Sequence, residues 1–309
     1  MKTNISFSKN RKKMVVNWQL YVMLATPLFF LILFHYVPMY GVQMAFKDFN
    51  IIDGITGSPW AGFKYFSKFI TDYQFVRVIS NTLVISIYSM LVSFPCSIIF
   101  AIALNYLHSE KYRKFAQTVS YAPYLISTVV MCSTILQLLA PRNGLITSAI
   151  NSIFHTDINF LGVSSYFDDI YVWSGVWQST GFNAIIYIAT LIGIDPELHE
   201  AAITDGASKM QRILFIDLPF LIPTVVKLLI LNLGQVLNIG YEKVLLLQNN
   251  LNIANSEVIS TYVYKVGLKS MIPQYSYSTA IGLFQSIIGI VLIIAVNKIA
   301  NKVSDSGIW

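Results

Sequence analysis

The chain has 309 residues, 55% of them hydrophobic and only 12% charged, with a formal net charge of +6. Soluble globular domains carry roughly a quarter of their residues charged, so this chain has too little polar surface to coat a water-soluble particle of its size. Its two cysteines and four scattered histidines also exclude a disulfide framework and a regularly spaced zinc site.

In chain order, residues 1–17 form a basic tail carrying Lys2, Lys9, Arg11, Lys12 and Lys13 with no acid. An apolar run begins at Trp18. A helix needs ~20 mostly apolar residues to cross ~30 Å of hydrocarbon. Stretches near Trp18–Tyr40, Ile79–Leu107, Phe115–Ala140, Ile170–Ile194, Leu218–Leu247 and Ser278–Asn297 meet that test. Backbone groups cannot stay unpaired in lipid, so each is predicted to be helical. The expected fold class is an all-α integral membrane protein with six transmembrane helices, and the bilayer is its first partner.

The first run stays uncharged from Trp18 to Phe46 and no small-residue cleavage pattern follows it, so a retained span is predicted rather than a signal peptide. Residues 18–75 hold that span and a loop with turn signals at Asp53-Gly54 and Gly57-Ser58-Pro59. Residues 76–298 hold the other spans, and 299–309 form a second tail. Basic residues gather in the first tail, in the Leu107–Phe115 turn (Lys111, Arg113, Lys114) and at Lys298 and Lys302. The positive-inside rule therefore places both termini in the cytoplasm. Because the cations follow topology, nucleic acid is not an expected partner.

Polar side chains inside spans are costly in lipid unless they pair or face a polar path. The third span offers Tyr124, and the fourth Gln178 and Asn183. In the fifth, Asn232, Gln235, Asn238 and Glu242 recur every three or four residues, which on a continuous helix puts them on one face. Two readings fit that stripe: glue between helices, or the wall of a path for a polar solute.

Between the fourth and fifth spans, on the predicted cytoplasmic side, residues 195–219 suggest a helix, a break and a second helix. Asp195 can cap, Pro196 suits the first helical position, and Glu197 favours the positive helix end. Asp205-Gly206 interrupts, and Pro219 and Pro223 are expected to reset the chain into the fifth span.

Glu-Ala-Ala, two residues, Asp-Gly-Ala, and then Leu-Pro at this spacing resembles the EAA loop of binding-protein-dependent ABC importer permeases. The resemblance implies the type I ABC importer permease fold, and a loop that docks on a cytosolic ATPase through Glu200, Ala201, Ala202, Asp205, Gly206, Ala207, Leu218 and Pro219. Departures are Met210, where sugar permeases often carry Trp, Ile213, often aromatic, and Asp217, often Thr. Tyr36-Val37-Pro38-Met39-Tyr40-Gly41, Ser58-Pro59-Trp60-Ala61-Gly62, Tyr121-Ala122-Pro123-Tyr124 and the closing Gly307-Ile308-Trp309 are similar to LplB-type permeases. That branch implies import of oligosaccharides or polysaccharide fragments.

No G-x-x-x-x-G-K-[ST] loop occurs, so no cofactor is expected on this chain. The resemblance places ATP and Mg on a partner ATPase dimer. It also implies a second, related permease subunit, forming a heterodimer, and an extracytoplasmic sugar-binding lipoprotein. The competing reading is an ion-coupled secondary carrier, for which Glu242 and His35 are the near candidates.

Overall fold

The computed structural model describes residues 17–304, so the basic tail over 1–16 and the closing Gly307-Ile308-Trp309 lie outside the described residues. Among the described residues every regular element is helical, and extended backbone pairs only at an isolated bridge between Lys47 and Trp60. Four helices are long and apolar enough to cross a membrane: α1 (Trp18–Phe46), α2 (Phe75–Asn105), α7 (Lys209–Gly234) and α9 (Tyr275–Ser304). Two bent pairs pass the same test together, giving six spans when each pair counts as one. They are α3 (Glu110–Leu125) with α4 (Thr128–Leu138), and α5 (Tyr166–Ile192) with α6 (Pro196–Thr204).

Several boundaries differ from expectation for identifiable reasons. The predicted third span, Phe115–Ala140, turns by 94° between α3 and α4. Pro123 lacks an amide hydrogen inside the last turn of α3, and Ser127 caps a fresh helix by accepting the Val130 amide at 3.4 Å. The predicted fifth span, Leu218–Leu247, instead begins at Lys209 and ends at Gly234, and a separate α8 covers Tyr241–Leu247. The expected reset at Pro219 does not occur. A wide π turn over Ile213–Asp217 precedes it, relieving the crowding a proline ring imposes on the carbonyl four residues back. Residues 299–304, expected as tail, continue α9.

α2 and α5 pack along their length and form the centre of the bundle. α7 crosses α9 where side chains are absent: a Cβ on Gly234 would stand 1.9 Å from Ile293 Cγ1, and one on Gly289 would stand 2.9 Å from the Gly234 carbonyl. Small residues at such crossings let backbones approach in the absence of a hydrophobic driving force. Residues 17–40 are exposed throughout, and α1 leans on α9 chiefly through its last turns, Tyr40–Phe46. One apolar core, with Ala101, Tyr187, Ile194 and Leu221, lies at the end of the bundle carrying residues 195–218. Two others, around Phe69, Val78 and Tyr277 and around Ile85, Phe167 and Val258, lie towards the opposite end.

Loops cap that opposite end through contacts remote in sequence. Asp72 accepts hydrogen bonds from Tyr277 at 2.6 Å, Tyr262 at 3.0 Å and the Gln74 amide at 2.9 Å. Burial alone would raise the Asp72 carboxyl, but these donors together hold it below its ordinary value of 3.8. Buried Glu257 pairs with Arg77 and, at 3.0 Å, with Lys265.

Candidate functional site

A cavity of about 370 Å³ opens between α2, α5, α7 and the chain beyond Gly234. Among its lining residues none is charged. Asn183 comes from α5 and Asn232 from α7, while Gln235 and Asn238 follow the end of α7. α2 contributes Ser86, Ser89, Ser93 and Ser97, and Phe94, Tyr171 and Tyr187 supply ring faces. Amide and hydroxyl groups around aromatic faces match a ligand rich in hydroxyls, which needs many neutral donors and acceptors.

The amides do not share the face of one continuous helix, because α7 stops at Gly234. The backbone beyond it tightens into three-residue turns: the Gln235 amide donates to the Asn232 carbonyl at 3.0 Å, and the Asn238 amide to the Gln235 carbonyl at 2.7 Å. Side chains three apart eclipse in such turns, so Asn232, Gln235 and Asn238 still point to one side. Asn238 Nδ2 also donates to Gln235 Oε1 at 3.1 Å. Glu242 falls outside the lining, exposed in the first turn of α8.

Unwound backbone at membrane depth is tolerable only where its polar groups find partners. Gln285 on α9 donates to the Leu237 carbonyl at 2.6 Å, Ser260 to the Ile239 carbonyl at 3.1 Å, and Ser86 on α2 to the Val236 carbonyl. Those donors make the break sustainable. They also leave the amide side chains of Gln235 and Asn238 free of backbone duty.

Gln178 and Tyr124 stand apart from this cavity. Gln178 Nε2 donates to the Ile126 carbonyl at 2.9 Å, bracing the bend between α3 and α4. Tyr124 stacks on Phe182 with ring centroids 3.9 Å apart. The serine stripe on α2 did not enter the sequence reading. Its spacing of three, four and four is a helical face and was available as a signal, but single serines in an apolar run are mild interruptions.

At the end of the bundle that holds Ile194, α6 forms as its sequence predicts. Asp195 Oδ1 accepts the Glu197 amide at 3.0 Å, and Pro196 stands in the first turn. Gly206 breaks the chain with φ of +79°, a left-handed conformation that favours glycine, and its missing Cβ faces open space. Ser208 then starts α7 with a capping box, exchanging bonds with Gln211 at 2.7 and 3.3 Å. The Ser-x-x-Gln signature was legible and is a second anchor the sequence reading omitted.

Glu200, Ala201, Asp205, Gly206 and Pro219 are exposed, while Ala202, Ala207 and Leu218 are half-buried. Around them Leu198, Ile203, Met210 and Leu214 leave about half or more of their surface open. Buried beneath is Asp217, which accepts a hydrogen bond from Tyr106 at 2.7 Å. Burial and that bond push the Tyr106 hydroxyl up to about 12, so it remains a protonated donor.

Residues 93–305 match the family of binding-protein-dependent transport system inner membrane components. Two proteins of Bacillus subtilis (strain 168) are similar over nearly the whole chain. The polygalacturonan/rhamnogalacturonan transport system permease protein YteP is 36% identical over 99% of this chain and 96% of its own length. Protein LplB is 37% identical over 94% and 91%. A chain in the crystal structure of a bacterial alginate ABC transporter, in complex with alginate pentasaccharide-bound periplasmic protein, superposes with a TM-score of 0.86 at 34% identity. That match covers 96% of this chain and 99% of the other.

Proposed function

Since the chain belongs to the family of binding-protein-dependent transport system inner membrane components, we propose that it is the permease through which an ATP-driven importer passes oligosaccharides or polysaccharide fragments. It is a multi-pass membrane permease and not an enzyme. The observation that carries the sugar reading is the uncharged cavity in which Asn183, Asn232, Gln235 and Asn238 face a stripe of serines and aromatic rings. The similar proteins point the same way, being named for polygalacturonan, rhamnogalacturonan and alginate.

In this reading both termini and residues 195–219 lie in the cytoplasm. Glu200, Ala201, Ala202, Asp205, Gly206, Ala207, Leu218 and Pro219 dock on an ATPase dimer that holds ATP and Mg. A related permease subunit completes the path, and an extracytoplasmic sugar-binding protein delivers the cargo. Closure of the ATPase pushes on α6, and the push changes which end of the cavity is open. The exposed apolar side chains around Gly206 support such a partner, because on a cytoplasmic segment they would otherwise face water. Ion-coupled carriers commonly use a membrane-embedded Asp, Glu or His, and the cavity lining has none of these.

The test is uptake of labelled trigalacturonide, with an alginate trisaccharide beside it, by proteoliposomes holding the whole assembly. Gly206→Pro and Glu200→Lys are expected to abolish uptake while the chain still inserts. Unchanged uptake in both variants removes the docking role. Mild-detergent purification should bring an ATPase and a second permease with the chain, as read by mass spectrometry.

A further inference from the structure

Asp217 is a carboxylate with no exposed surface, in the π turn within the N-terminal part of α7. Two other elements converge on it. Tyr106, just past the end of α2, donates its hydroxyl to Oδ2 at 2.7 Å. His199 on α6 brings Nε2 to 3.3 Å from Oδ1, an ion-pair distance without the alignment of a hydrogen bond. Arg212, one turn earlier on α7, lies over the Tyr106 ring at 5.6 Å. Lys209 and His108 line the shallow cavity of about 280 Å³ that Tyr106, His199 and Arg212 also border.

A buried carboxylate is costly unless its lone pairs are satisfied, so the position is not filled by chance packing. The carboxylate offers one oxygen to each of two elements, Oδ2 to Tyr106 and Oδ1 to His199. Apart from Asp217, α6 makes no side-chain hydrogen bond or ion pair beyond its own turns and cap among those found for the described residues. A push on α6 therefore has one polar route into the bundle.

We propose that Asp217 is a positioning residue for transport, tying α6 through His199, and the foot of α2 through Tyr106, to the start of α7. The inference rests on the docking role assigned to residues 195–219. It adds that displacement of α6 reaches two spans at once through a single carboxylate, one of them bearing the serine stripe and the other Asn232. The looser of its contacts, to His199, is the one that joins the moving part.

The experiment uses the intact assembly in proteoliposomes and reads trigalacturonide imported per ATP hydrolysed, together with the amount of ATPase retained. His199→Gln keeps an N–H donor, whereas His199→Leu keeps bulk alone. The ratio should fall about tenfold in His199→Leu, the scale of leaving a buried acceptor without its neighbouring donor. It should stay within about twofold in His199→Gln, with the ATPase bound in both. Tyr106→Phe and Asp217→Asn are expected to lower the ratio as well. A space-filling role would treat Gln and Leu alike, and that result overturns the proposal. So does a wild-type ratio in His199→Leu. If Asp217→Asn fails to assemble, the partly exposed His199 pair still decides. Gly206→Pro run in parallel separates the two levels: uncoupling there with full coupling in His199→Leu removes only the tie, while full coupling in both removes the docking role too.

Discussion

The two ends of the bundle are held together in opposite ways. At the end capped by loops, the polar contacts join residues far apart in sequence: Phe49 to Ser276, Lys68 to Gln274, Asp72 to Tyr262 and Tyr277, Arg77 to Glu257, and Asn81 to the Ala254 carbonyl. At the end carrying residues 195–218, nearly every bond is local. Asp195 caps its own helix, Ser208 and Gln211 satisfy each other, and Thr204 bonds one turn back to the Glu200 carbonyl. The first end is closed by its own residues. The second packs on an apolar core but has few polar ties to remote residues, Asp217 and Arg212 over Tyr106 among them, and leaves apolar side chains open. Local caps define a shape; long-range ties define a position. A segment that has the first and lacks most of the second suits a part that another protein must grip and move.

Mutating both ends sharpens that contrast. The largest effect is expected from Glu257→Ala, which deprives Arg77 and Lys265 of their shared carboxylate. Removing one member of a buried ionic cluster costs about 3–5 kcal/mol, and here the lower figure applies because Arg77 and Lys265 stay partly in water. Thermal unfolding in detergent should shift clearly downwards. A Glu257→Ala chain as stable as wild type would mean that the loop cap is not a rigid unit.

A smaller effect is expected from acid. Asp72 is held below its ordinary carboxyl value in the folded chain. It therefore binds protons less readily folded than unfolded, and its contribution is present above the unfolded value. As pH falls through the lower, folded value, that contribution is lost. Wild-type stability should decline more steeply below about pH 4 than that of Asp72→Asn, which has no such proton to take up. Parallel acid profiles for the two would show that the Tyr262 and Tyr277 hydroxyls do not depend on the charge.

The same contrast explains what the residues reveal when read alone. Signals that act within four residues are plain in the sequence: Asp195-Pro196 starts α6 and Asp205-Gly206 ends it. The bend between α3 and α4 is also local, at Pro123 and Ser127, but the apolar run over it masks two helices as one. The end of α7 is different in kind. Nothing around Gly234 forbids a helix from continuing to Leu247. It stops because Gln285, Ser260 and Ser86, each remote in sequence, take the carbonyls that further turns would have used. The amide stripe thus reaches one cavity through turns that its spacing permits but does not require. Ser86, Ser89, Ser93 and Ser97 become informative only once α5 and α7 face them.

The smallest expected effect on stability is also the one that most narrowly tests the difference between shape and position. Gly206 sits at φ of +79° with no atom within 4 Å of where a Cβ would project. Gly206→Ala therefore meets no steric clash, and its cost is the backbone strain of a left-handed residue, about 1–2 kcal/mol. That strain falls on a turn whose neighbours bond only to each other. The loop cap and the α2–α5 pairing should not feel it, so the unfolding temperature in detergent should stay within error of wild type. Hydrogen exchange should nonetheless quicken in α6 and in the first turn of α7, because relaxing Gly206 pulls on the Ala207 amide, which donates to the Ala202 carbonyl at 2.9 Å. Uptake should fall while stability holds. If Gly206→Ala instead lowers the unfolding temperature as much as Glu257→Ala does, then residues 195–218 are fastened to the bundle as firmly as the cap, and the proposed handle is part of the frame.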